Sequence, residues 1–427
     1  MATRRSVQPP LPFASDSLLS QLAGEYGTPL YVHDERSYRR YAADALAAPN
    51  AFGLSVRYAM KANSHRAILR IFDSMGIAID ASSSYEVRRA IAAGIAPRKV
   101  QLTSQEVPTP TQLKEFVNLG VIYNATSLTQ LRLFADLFPA NTQPLSVRIN
   151  PGLGSGHNNR TNTAGRSASF GIWRDYIPEV LSIAAQHSLT ISRLHSHVGS
   201  GSDWKVWQKA ARLTLGIVRS FLDVKTVNLG GGYKIDRIAP EKSIDFQTAF
   251  LPVKEAFEEF ASETGRRLRL EIEPGTYLAA NSCILLAQVS DIVDTGREGY
   301  RFLKLNASMT ELLRPMIYGA RHPIRLLGRG DKPATRYVVV GTCCESGDIF
   351  TPRPGNPEEL DTVALPEARI GDYVAIMSAG AYASSMCTRH YNSRPSCPEI
   401  ILPSRGRPRL ITRPEKPEEV WARELPR

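Results

Sequence analysis

The segment Val56-Arg57-Tyr58-Ala59-Met60-Lys61-Ala62-Asn63-Ser64 puts a lysine at the end of a short apolar run, where small and polar residues open a turn. A lysine closing a buried strand has to be neutralised, paired or used. An ε-amine stripped of water has a lowered pKa and suits Schiff-base chemistry; an amine that snorkels to solvent is the alternative. Other residue types point to chemistry as well. Gly230-Gly231-Gly232 follows a strand-like run, and consecutive glycines let backbone N–H groups approach an anion or make a flexible turn. Ser200, in Val198-Gly199-Ser200-Gly201, offers a hydroxyl on a second glycine-rich loop. Glu273 stands before Pro274-Gly275; its carboxylate either pairs with a neighbouring cation or faces a ring nitrogen and keeps it protonated. His197 lies just past a strand end, as a stacking ring or a hydrogen-bonded core histidine. Cys344, beside Glu345 and Asp348, has a setting that favours the thiol over the thiolate, which suits a proton donor or simple packing.

Eight apolar runs could position these groups: Ser55–Met60, Ile77–Asp80, Val100–Thr103, Val121–Asn124, Leu145–Ile149, Ile191–His195, Thr226–Leu229 and Leu268–Ile272. Stretches of helical periodicity separate them. This alternation predicts a (β/α)8 barrel, with its chemistry at the C-terminal strand ends. A doubly wound sheet has fewer strands and a Gly-rich fingerprint after the first, absent here. After Ala280 strand-like runs separated by Gly and Pro turns predict an all-β barrel or sandwich. The expected division is a barrel over 35–280, a β domain over 281–427 joined by 13–34, and a disordered lead-in over 1–12.

Composition narrows the classes. A hydrophobic share of 43% with 22% charged residues describes a soluble globular chain. No apolar run reaches membrane-spanning length, and no apolar segment follows the first charges as in a secretory signal. The net charge of +11 is scattered rather than gathered into a basic stripe, so anionic small molecules are expected as ligands, and neither nucleic acid nor membrane. Five irregularly spaced cysteines argue against a disulfide framework or a metal site and for a reducing, cytoplasmic setting.

Seven stretches together resemble the fold-type III pyridoxal-phosphate decarboxylases, in the branch acting on diaminopimelate. They are Tyr58–Asn63, His195–Ser200, Gly230–Gly232, Glu273–Gly275, Arg314-Pro315 with Tyr318–Ala320, Cys344–Ser346 with Asp348, and Gly380–Tyr382 with Tyr391–Pro395. They run in the family's order over residues 25 to 405. The resemblance implies an alanine-racemase-like architecture and decarboxylation of meso-diaminopimelate to L-lysine and CO2. Lys61 would carry pyridoxal phosphate, His197 would stack on its ring and Glu273 would meet its nitrogen. Ser200, Gly230, Gly231, Gly232 and the turn Gly275-Thr276 would hold the phosphate, helped by Tyr382. Arg314, Tyr318, Glu345 and Tyr382 would contact substrate, and Cys344 or Lys61 would return a proton to carbon. It also implies a homodimer in which Cys344 and Glu345 serve the partner's site.

One position departs from the pattern. The branch has arginine directly after Glu-Pro-Gly, gripping a substrate carboxylate, and this chain has Thr276, which offers no bidentate charge. Arg160 and Arg166 in the polar loop 152–169, or Arg321, are the expected replacements. The alternatives are decarboxylation of another basic amino acid (ornithine, lysine or arginine, D or L), and a non-catalytic regulator on the same fold.

Overall fold

The structure is a computed structural model that describes residues 8–154, 163–199, 203–330 and 332–425. It divides into two compact units. One comprises Arg39–Ile235 and Lys242–Leu278; the other comprises the chain up to Tyr38, Asp236–Glu241, and the chain from Ala279 onward.

Among the described residues, eight parallel strands close the first unit into a barrel: Leu54–Ala59, Ala78–Ala81, Val100–Leu102, Ile122–Ala125, Leu145–Asn150, Ile191–His195, Thr226–Asn228 and Arg269–Ile272. Each pairs with the next, and Leu270 and Ile272 return to Leu54 and Val56 to complete the ring. Local chemistry starts the intervening helices. Ser83, Ser127, Asp203 and Asp245 each accept a backbone N–H of the first helical turn, satisfying donors that the helix cannot. Thr109 and Gln112 do so reciprocally. The helix Arg66–Ser74 then buries Ile68, Leu69, Ile71 and Phe72 against the strands.

In the second unit, a sheet is built around the long strand Cys283–Asp294. It pairs with Leu30–Asp34, Tyr373–Ile376 and Arg301–Leu305, all antiparallel. A register shift between Val289 and Asp291 lets one strand change partners along its length. Its side chains alternate between two cores: Leu285, Ala287 and Val289 on one face, Ile284 and Leu286 on the other. The second core is covered by Leu19, Leu22 and Ala23 of the helix Asp16–Tyr26.

Two boundaries differ from expectation. Disorder through residue 12 is not what Gln8 shows: its carboxamide pairs with both the N–H and C=O of Leu326. The barrel is also not one continuous span, because Asp236–Glu241 belongs to the other unit. There Asn281 donates to the Asp236 carbonyl at 3.1 Å.

Candidate active site

Glu273 follows the last barrel strand and is buried. Its Oε1 accepts from Gln101 at 2.8 Å and from Asn228 at 2.6 Å, and its Oε2 lies 3.0 Å from His195 Nε2. These partners come from three other barrel strands. Burial raises its pKa, but the charge and hydrogen bond of His195, then the hydrogen bond of Asn228, outweigh it and hold the carboxyl well below the usual range. Asp80 accepts from Thr103 and Gln101 nearby. Burial, then the Glu273 charge, push its pKa well above normal. Like charges in one dry site cannot both persist, so the negative charge settles on Glu273. Beneath it, Glu271 is held by Arg57 at 2.8 Å and by Arg193.

The glycine triplet lies against this centre. Gly230 and Gly232 have φ of +70° and +94°, the left-handed region that side chains resist. A Cβ on Gly230 would come within 2.6 Å of His197, and one on Gly231 would collide with the Glu273 carbonyl. A Cβ on Gly275 would press on Ala59 and Ala62 at 3.2 and 3.3 Å. The backbone here is as close as the chain allows. Burial, then Arg148, Lys61 and His195, push the His197 imidazole well below its ordinary pKa, so the ring is neutral. Its Nδ1 is sealed from solvent and has no hydrogen-bond partner among the described residues.

Lys61 corrects one expectation. The strand ends at Ala59, and the single 3-10 turn Met60–Ala62 carries the lysine outward, where it is exposed rather than desolvated. Its charge still reaches Asp80, Glu86 and His197.

The second unit holds the other predicted residues. Arg314 and Tyr318 bound a short helix that Gly319 ends in the left-handed conformation, and the Arg314 guanidinium lies over the Tyr318 ring at 5.9 Å. Tyr382 has a φ of +56° and follows Gly380, which packs so tightly on Ala279 that no side chain fits. Cys344 and Glu345 are exposed. The Cys344 amide donates to Asn392 at 2.8 Å, and the buried Asp348 carboxylate accepts the amides of Cys343 and Met309.

The three arginines expected to replace the missing one fare differently. Arg321 donates to Asp361 at 2.8 Å and to the Pro352 carbonyl at 3.1 Å, so its charge is already engaged. Arg166 is exposed. Arg160 lies outside the described residues, as does Ser200. Thr276 opens the short helix Thr276–Ala279.

Sequence reasoning passed over Gln101, Asn228, His195 and Arg148 as site residues. Gln101 had a readable signal: it is a polar side chain in the middle of the buried strand Val100–Leu102, a position that burial forbids unless the group is hydrogen-bonded.

A closed ring of eight parallel strands alternating with helices is the (β/α)8 barrel, which carries its chemistry at the C-terminal strand ends. The model for the pyridoxal-dependent decarboxylases, pyridoxal binding domain, matches residues 38–280. The chain is 34% identical over 417 residues to diaminopimelate decarboxylase of Escherichia coli strain K12, covering 95% of this chain and 96% of the relative. A crystal structure of a diaminopimelate decarboxylase superposes with a TM-score of 0.88 at 32% identity, over 97% of this chain and 99% of that one. The Helicobacter pylori enzyme of that name, solved with L-lysine, gives 0.82 at 27% identity, over 95% and 98%. The chain belongs to the pyridoxal-dependent decarboxylase family.

Proposed function

We propose that the protein releases CO2 from meso-diaminopimelate to give L-lysine, with pyridoxal phosphate as its cofactor. The observation that carries the chemistry is Glu273, a buried carboxylate whose charge three neighbours secure. Pyridoxal phosphate, when bound, supplies an electron sink for the carbanion left by CO2, and the sink works best with its ring nitrogen protonated. The residues present fit that group. Glu273 offers the anionic partner for the nitrogen. His197 offers a flat neutral ring with an unpartnered Nδ1. Gly230, Gly231, Gly232 and the Gly275-Thr276 turn would hold the phosphate through their backbone; at Gly230, Gly231 and Gly275 only glycine fits against His197, the Glu273 carbonyl, and Ala59 with Ala62.

In this reading Lys61 holds the cofactor, and either Lys61 or Cys344 delivers a proton to the substrate carbon. Arg314, Tyr318 and Glu345 orient the substrate, and Tyr382 and Ser200 assist at the phosphate. The protein is a cytoplasmic homodimer. The exposure of Cys344 and Glu345 supports their serving a partner subunit's site, and five free cysteines suit a reducing compartment. Among the described residues, no helix is long and apolar enough to cross a membrane.

Substrate choice is supported by the likeness to diaminopimelate decarboxylases over nearly the whole chain. A second reading, a decarboxylase of ornithine, lysine or arginine, rests on Thr276. A CO2-release assay across the isomers of diaminopimelate, ornithine, lysine and arginine decides between them. The first reading predicts release from meso-diaminopimelate alone; faster release from a mono-carboxylate would replace it with the second.

A further inference from the structure

The segment Asp236–Glu241 leaves the barrel sequence to join the other unit, and it brings Arg237 with it. The segment is pinned at both ends. Asn281 donates to the Asp236 carbonyl at 3.1 Å and itself accepts from Ser378 at 2.6 Å. The Arg237 amide donates to the Glu241 carboxylate at 2.9 Å, and the Glu241 amide donates to the Ile238 carbonyl at 2.8 Å. These bonds fix the backbone that carries Arg237.

The Arg237 guanidinium lies within electrostatic reach of a second one, Arg314. Burial pushes the Arg237 pKa down to about 9, with the Arg314 charge as the next cause; Glu241 and Tyr382 act in the opposite sense. Burial likewise lowers Arg314, against Tyr382, Tyr318 and Glu241. The two guanidiniums therefore share one carboxylate, Glu241, and one phenol, Tyr382, with Tyr318 beside Arg314 alone. Among the described residues, Nε and Nη2 of Arg237 and Nε of Arg314 are sealed from solvent and make no hydrogen bond. The nearby His322 cannot supply the missing charge. Its Nδ1 lies 2.9 Å from the Met377 carbonyl, and burial, then Arg314 and Arg237, keep the ring neutral.

Three sealed, unpartnered donors on two like-charged forks are costly unless an anion joins them. A planar carboxylate matches guanidinium forks, because each fork can donate two parallel bonds to it. We propose that Arg237 and Arg314 together form the seat for a carboxylate of the substrate, with Arg237 supplying the charge that Thr276 does not. This rests on the dicarboxylate reading of function and identifies the residue that selects for it.

The experiment uses the holoenzyme with Arg237→Ala and Arg237→Lys. Losing a charge-assisted pair should raise KM for meso-diaminopimelate roughly 10- to 100-fold, with kcat much less affected. Lysine keeps the charge but loses the fork, so Arg237→Lys should fall between wild type and alanine, and it serves alone should the alanine variant not fold. Calorimetry with pimelate and hexanoate reads the seat without turnover. Wild type should prefer the dicarboxylate, and both variants should lose that preference. The pyridoxal-phosphate dissociation constant, followed by visible absorbance, should stay within about twofold of wild type, since each tenfold change would signal a full charge contact moved to the phosphate. Unchanged KM and unchanged pimelate preference would overturn the proposal, and so would a loss concentrated in cofactor affinity. If wild type releases no CO2 from diaminopimelate, the functional reading fails by itself, and pimelate binding still decides the role of Arg237.

Discussion

The barrel centre and the Arg237–Arg314 cluster house charge in opposite ways. At the barrel centre an anion, Glu273, is fully furnished with donors from Gln101, Asn228 and His195. In the cluster, two cations retain donors that nothing among the described residues satisfies. A satisfied buried charge is a fixed tool, ready to act on something it touches. An unsatisfied one marks a place where the ligand completes the structure. The first kind tunes chemistry and the second selects the molecule.

The comparison breaks most visibly at the residue proposed to hold the cofactor. Lys61→Ala should lower turnover on the order of 10⁴-fold or more, measured as CO2 release with saturating cofactor. Retained turnover would remove the barrel centre from the chemistry. Glu273→Gln keeps the shape and removes the charge. It should cost on the order of 10²- to 10³-fold in kcat, with a small change in KM. Arg237→Ala should show the reverse split, and the pair of results separates tool from selector. Gly231→Ala, which drives a methyl into the Glu273 carbonyl, should destabilise the fold by about 1–3 kcal/mol in denaturant titration, while the same change at the open Gly24 gives no such collision.

The smallest effect concerns acid stability. The folded Glu273 pKa lies below the ordinary value of 4.5. Its stabilisation is therefore complete above pH 4.5 and is lost as pH falls through the depressed folded value. Glu273→Gln should lose less stability than wild type between about pH 5 and pH 3. Parallel curves would mean the carboxylate is not favoured by its surroundings.

Much of this was legible before the structure. The barrel strands lie within one or two residues of the apolar runs, because each run is short, is bounded by polar turns, and precedes a helix started by a capping side chain such as Ser83 or Ser127. Lys61, His197, Glu273 and the glycine triplet could be read because their residue types are unusual at strand ends. The strands Asn356–Leu360 and Arg409–Thr412 were missed because they are largely exposed and carry no apolar alternation. Arg237 was missed for a different reason. Nothing local distinguishes it from the chain's other arginines; its meaning comes from Arg314, far away in sequence. The exposure of Lys61 likewise depends on where a strand stops, which periodicity does not resolve.

The central claim is that Lys61 bears the cofactor. The direct measurement is to incubate the purified protein with pyridoxal phosphate, reduce with borohydride, and map the peptides by mass. The account predicts one phosphopyridoxyl group per chain, on Lys61. An unmodified Lys61, or a group carried on another lysine, would contradict it.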